Sequence, residues 1–154
     1  MSRALYVVDT QTAAVALVAT TAKTVVSATG GADYGLQLCK YRISFDGVTA
    51  SAVPVFCEIV VITGATGTAT PQTPIQTQGK VMAATNMVGN VNYSAEPTVT
   101  AVVDSFDLTP NSGTLVYDWQ YGDEPDTGFT SGFGLRCTAP AAVNFRGGVF
   151  VSRV

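Results

Sequence analysis

With 154 residues the chain has room for one domain; only 12% of it is charged, against about 25% in ordinary soluble domains, while 47% is hydrophobic. Its formal net charge is −3, it has no histidine, and its lysines are Lys23, Lys40 and Lys80. Singly scattered cations exclude a phosphate-tracking nucleic-acid binder, the missing histidine removes the usual triads and most zinc sites, and the apolar content excludes disorder.

Apolar residues recur with period two along most of the chain, which predicts strands. Short strands are expected at residues 5–8, 14–19 and 24–28. The clearest alternation follows, with Tyr41, Ile43 and Phe45 facing one way and Lys40, Arg42, Ser44 and Asp46 the other, ending at the turn signal Asp46-Gly47. Leu36 and Leu38 have the opposite parity, which predicts a bulge near Cys39. Residues 53–62 carry apolar side chains on both faces and read as a strand covered on both sides. The Gly/Thr/Pro-rich stretch 63–78 reads as a long surface loop.

Further strands are expected at 80–85, 98–108 and 114–121, then around Phe133, Leu135 and Cys137, and finally at 143–152. Gly147-Gly148, inside the last, predicts a bulge or a close approach by another backbone. Eight to ten short strands separated by Gly, Pro, Asn and Asp turns predict an all-β fold, an antiparallel β-sandwich of jelly-roll type. Residues 1–12 are expected as an N-terminal arm or edge strand and 13–154 as a single sandwich domain.

The polar positions are filled mainly by Thr, Ser, Gln and Asn, as in Ala65-Thr-Gly-Thr-Ala-Thr70, so much of the surface is expected to lie against copies of the chain or a partner. No clean signal-peptide core, membrane-length apolar run or lipidation motif is present, which predicts synthesis in a reducing cytoplasm. The cysteines Cys39, Cys57 and Cys137 are odd in number, have no Cys-x-x-Cys spacing and read as buried thiols.

Three groups are candidates for chemistry. Asp123, Glu124 and Asp126 form the densest charge; their spacing does not match an EF-hand, and a solvated turn is the plainer account. Glu58 shares a strand face with Phe56, Val60 and Ile62, where a lone carboxylate is costly. It is either a catalytic acid or the partner of Arg42, Arg136 or a neighbouring subunit. Tyr117, Trp119 and Tyr121 form an aromatic row that is either core or a platform for host sugars or protein. No metal, cofactor or catalytic set emerges.

Four segments together carry a resemblance: Thr21-Ala-Lys-Thr-Val-Val26; Ile43-Ser-Phe-Asp-Gly-Val48 followed by Val53-Pro-Val-Phe-Cys-Glu58; Ala95-Glu-Pro97; and Leu135-Arg-Cys-Thr-Ala-Pro-Ala-Ala-Val-Asn144. In order, they resemble a group of tailed-bacteriophage virion proteins, the capsid decoration or cement proteins, from about Thr12 to Val154. The chain departs from that pattern at Val53, where the pattern has Glu, and at Cys137, where the pattern has Val.

The resemblance implies a β-rich, non-enzymatic, often trimeric protein on the outer face of the phage head. It would be made in the host cytoplasm and bind the major capsid protein and itself, with no nucleic acid, membrane or cofactor. Ser2, Arg3, Leu5 and Tyr6 of the N-terminal segment, and Thr66, Thr68, Thr70 and Gln72 of the 63–78 stretch, are the expected capsid contacts. Phe56, Glu58, Tyr117, Trp119 and Tyr121 are expected in self-assembly or the core. The alternatives are a tail or baseplate module binding host glycans through the aromatic row, and a hydrolase using Glu58 or Asp123.

Overall fold

The alternating pattern becomes strand throughout the computed structural model, which describes residues 4–11, 13–46, 53–64, 66–79, 86–111 and 113–154. Among these, twelve strands form, more than the eight to ten expected, and no helix. They are β1 (Leu5–Asp9), β2 (Val15–Leu17), β3 (Ala22–Thr29), β4 (Leu36–Asp46), β5 (Val55–Thr63), β6 (Thr68–Gln72), β7 (Ile75–Gln78), β8 (Val88–Ala95), β9 (Val99–Leu108), β10 (Thr114–Asp118), β11 (Ser131–Thr138) and β12 (Val143–Arg153).

Two antiparallel sheets pack face to face. Sheet A has the order β10-β4-β12-β1-β7, with β2 alongside β12; sheet B has the order β6-β8-β3-β11-β5-β9. Eight of the strands make four nested antiparallel pairs, β1 with β12, β3 with β11, β4 with β10 and β5 with β9. The pairs alternate between the sheets, the winding of a jelly roll. Strands β6, β7 and β8 are an insertion between β5 and β9 that extends both sheets at the opposite side.

Several local expectations hold. Phe150 pairs with Lys40 and Val151 with Leu38, so Cys39 is the extra residue of a bulge that switches the inward parity from Leu36 and Leu38 to Tyr41 and Ile43. Gly147 and Gly148 are points of close backbone approach: a Cβ at Gly147 would lie 2.0 Å from the Arg42 carbonyl oxygen, and one at Gly148 2.5 Å from that of Val8. Gly148 pairs with Arg42 on one side and Asp9 on the other, and the ion pair of Arg42 with Asp9 spans the position its missing side chain leaves open.

β5 is buried on both sides from Cys57 to Val60, but not at Phe56. Cys57 and Ile59 face the core, and Val60 and Ile62 are fully buried as well. The return from the insertion crosses the outward side of sheet B. There Glu96 bonds Thr24 of β3, and the Thr98 carbonyl accepts the Thr63 N–H at 3.1 Å. Thr24 needs that partner because Val25 bulges from the β3–β11 ladder, leaving the Thr24 N–H to the Glu96 carboxylate at 2.8 and 3.0 Å.

Three expectations are corrected. Residues 63–78 are not a loop, because β6 and β7 occupy much of them. Threonine suits a strand, and Pro71 is tolerated because β6 is an edge. Leu5–Asp9 is neither arm nor edge, since it pairs with β12 on one side and β7 on the other. β8 was not expected; the left-handed Asn92 interrupts its alternation and turns Tyr93 to bond Ser27 at 2.8 Å. The expected strand at 80–85 lies outside the described residues.

Candidate contact surface

The insertion lays β7 against β1, with Tyr6 opposite Gln76 and Val7 opposite Ile75. β6 meanwhile pairs with β8 on the other sheet, and Thr73-Pro74 bridges the two layers. A cleft of about 510 Å³ opens between them, lined by Tyr6, Pro71, Gln72, Pro74, Met87 and Val88 among others. Its wall is tight: a Cβ at Gly89 would fall 2.3 Å from the Gln72 carbonyl oxygen and 2.9 Å from a Val8 methyl.

Two of the expected contact residues, Tyr6 and Gln72, therefore meet in one cleft although 66 positions separate them in the sequence. Tyr6 is buried, and its hydroxyl has no hydrogen-bond partner among the described residues. Leu5 is half-buried, and Thr68 and Thr70 are exposed on β6. Thr66 is a tether instead: its hydroxyl donates to the Thr63 carbonyl at 2.8 Å and accepts the Thr98 N–H at 2.8 Å. Ser2 and Arg3 lie outside the described residues.

Glu58 is taken up by Arg136, its direct neighbour across β5 and β11. Nε reaches one carboxylate oxygen at 2.8 Å and a terminal nitrogen the other at 3.0 Å. The bond to Glu58 holds the guanidinium pKa above its ordinary value, against the opposing effect of burial. Of the partners expected for Glu58, Arg136 is the one in place, while Arg42 pairs with Asp9.

The aromatic row divides. Tyr117 lies flat against Tyr41 at 5.3 Å between ring centres, and Tyr41 stacks on Phe106 at 5.9 Å, so three rings close the open side of the sandwich between β9 and β10. Trp119 meets Tyr117 edge to face, at 76°, and is half-buried. Tyr117 itself is 41% exposed and Tyr121 92%. The core expectation fails for both, because β10 is an edge strand and Tyr121 lies beyond its end. Phe56 too is exposed, at 40%, on the outward side of β5.

The acidic stretch is a closed turn in which Glu124 is buried rather than solvated, accepting the Gly122 N–H at 2.6 Å. Flanking it, the Trp119 N–H bonds the bulged Cys39 carbonyl at 3.0 Å and the Leu38 N–H bonds Pro125 at 2.9 Å, so the turn stands out from the edge of β4 with Tyr121 on it. Among the described residues no three His, Cys, Asp or Glu side chains converge as a metal site would require. No known family model, curated protein or solved structure matches the chain.

Proposed function

We propose that the chain is a structural virion protein of a tailed bacteriophage, a head decoration protein that binds the outside of the capsid and staples neighbouring major capsid proteins. The observation that carries this reading is the insertion. A jelly roll is complete with the four nested pairs, yet the chain adds the three strands of the insertion, and these join β1 around a cleft lined by both Tyr6 and Gln72. The ordered resemblance of four segments supplies the class of partner. Large exposed side chains elsewhere, Val102, Val116 and Phe129 among them, suit burial against further copies, and we read the assembly as a homotrimer. Several weak contacts held together resist peeling better than one.

The reading is non-enzymatic. Both oxygens of Glu58 are engaged by Arg136, which suits a sheet-stabilising pair better than a proton donor. A second reading, a tail module for host glycans, rests on Tyr121 alone, because Tyr117 and Trp119 stand at a steep angle and share no flat face.

Co-sedimentation with expanded phage heads that lack their decoration protein tests the proposal. Because β1 is an interior strand, point substitutions serve better than deletion of the N-terminus. The wild type should pellet with heads, and Val88→Asp with Gln72→Arg should abolish pelleting while circular dichroism and melting stay unchanged. Failure of the wild type to bind any head sinks the function; binding retained by the double variant sinks the cleft as the contact. Loss of glycan-array binding in Tyr121→Ala would favour the tail reading.

A further inference from the structure

The three cysteines divide in the fold into a pair and a single. Cys57 on β5 and Cys137 on β11 are directly opposed in the antiparallel ladder, and both are fully buried. The Cys137 thiol donates to Cys57 Sγ at 3.9 Å, and the Cys57 thiol turns to the Val55 carbonyl at 3.7 Å. Cys39 lies in the other sheet, where its thiol meets the Gln37 carbonyl at 3.5 Å and Ser152 Oγ at 3.6 Å. One odd count therefore conceals a matched pair.

We propose that Cys57 and Cys137 are a latent cross-strand disulfide, closed reversibly by a small-molecule disulfide such as oxidised glutathione. Opposed residues of an antiparallel pair have Cα atoms about 4.5–5.5 Å apart. That falls inside the roughly 4.4–6.8 Å that disulfides span. The sulfurs have to approach from 3.9 Å to about 2.05 Å, a movement that side-chain rotation and slight backbone give can supply. Cys39 is the bulged residue of β4 in the other sheet.

The exchange balances in two steps. One thiolate attacks a sulfur of oxidised glutathione, forming a mixed disulfide and expelling one glutathione thiolate. The second cysteine, as thiolate, attacks the protein sulfur of that mixed disulfide, forms the Cys57–Cys137 bond and expels the other glutathione. The two protons lost by the protein end on two glutathione thiols, and the two electrons pass with them.

Burial, followed by the neighbouring Cys57 thiol, pushes the Cys137 thiol pKa well up, so the attacking thiolate is scarce in the folded chain. Closure therefore belongs to the folding chain or to openings of sheet B, and in a reducing cytoplasm both groups stay as thiols. The bond would join positions 80 apart, enclosing the whole insertion together with β9 and β10. It would restrict the unfolded chain and tie two adjacent interior strands of sheet B, β5 and β11.

The test is refolding of the full, reduced chain in glutathione buffers of graded oxidised-to-reduced ratio. Acid quenching, alkylation under denaturing conditions and peptide mass mapping follow. The expected product is lighter by two hydrogens, keeps one alkylatable thiol, yields a peptide linking Cys57 to Cys137, and reopens in excess reduced glutathione. Cys39→Ala should give the same bond. Native protein in the same buffers should reach the same end point far more slowly. Three alkylatable thiols at every ratio in refolded β-sheet protein, or a bond that includes Cys39, overturns the proposal.

Discussion

Arg136 and Glu58 face each other across β11 and β5, adjacent interior strands of sheet B, and one guanidinium bonds both oxygens of one carboxylate. The pair sits on the outward side of the sheet, with the side chains only 24% and 12% exposed, so neither charge is well hydrated alone. Arg136→Ala should cost about 3 kcal/mol, the lower end of the range for breaking a buried pair, because the carboxylate is left without its partner. Replacing both, as Arg136→Met with Glu58→Leu, should recover most of that loss. Urea unfolding of Arg136→Met, Glu58→Leu and the double variant measures the coupling; additive losses would mean that the pair contributes little.

Glu96 makes a different kind of bond, fastening a crossing segment to a bulge. Its carboxylate takes the Thr24 N–H and, at 2.5 Å, the Thr24 hydroxyl, while Pro97 beside it is buried. Glu96→Ala leaves the bulged N–H without its acceptor and should cost about 1–2 kcal/mol, with the side chain's partial exposure keeping the loss from being larger. Hydrogen exchange should quicken first at Thr24. An unaltered Thr24 exchange rate would show that the crossing segment is held by packing alone.

These two carboxylates show where the sequence could be read and where it could not. The alternation that placed Glu58 among apolar neighbours was local, and so was the parity change that located the bulge at Cys39. Which arginine faces Glu58 depends on the register between β5 and β11, for which alternation leaves Arg42 and Arg136 equal. Glu96 carried no signal, because its partner lies 72 positions away and becomes needy only through a bulge at Val25. β6 and β7 were hidden by glycine and proline that edge strands tolerate. Tyr117 had the parity of a core residue, but an edge strand has no neighbour on one side to complete its burial.

Tyr41 gives the fold an alkaline limit. Its ring is buried in the aromatic stack and its hydroxyl donates to Asp104 at 3.1 Å. Burial first, and the Asp104 charge second, push its pKa well above the ordinary tyrosine value of 10.0. Below pH 10 both folded and unfolded chains keep the proton and this contribution is complete. Above it the unfolded chain releases the proton while the folded chain holds it, so stability falls by about 1.4 kcal/mol per pH unit until the folded value is reached. The difference in unfolding free energy between the wild type and Tyr41→Phe, followed from pH 9 to 11.5, should narrow by that slope from pH 10 upward; a constant difference would show that Tyr41 ionises freely.

Gly147 is a position where the sheet has no room for a side chain. It lies on β12 opposite Ile43, and an added Cβ would sit 2.0 Å from the Arg42 carbonyl oxygen, 3.0 Å from its carbonyl carbon and 3.0 Å from the Phe145 ring. Backbone gives less readily than a flexible side chain, and β12 is bonded on both sides, so the clash cannot be relieved without parting it from β4. Gly147→Ala should cost at least the 1–3 kcal/mol typical of overpacking. At roughly 2–4 °C per kcal/mol for a chain of this length, melting should fall by several degrees. Gly128→Ala is the matched control, since a Cβ there meets nothing within 4 Å. Equal melting of the two variants would mean that β12 and β4 can separate at little cost, and that the close approach at Gly147 is not what fixes their spacing.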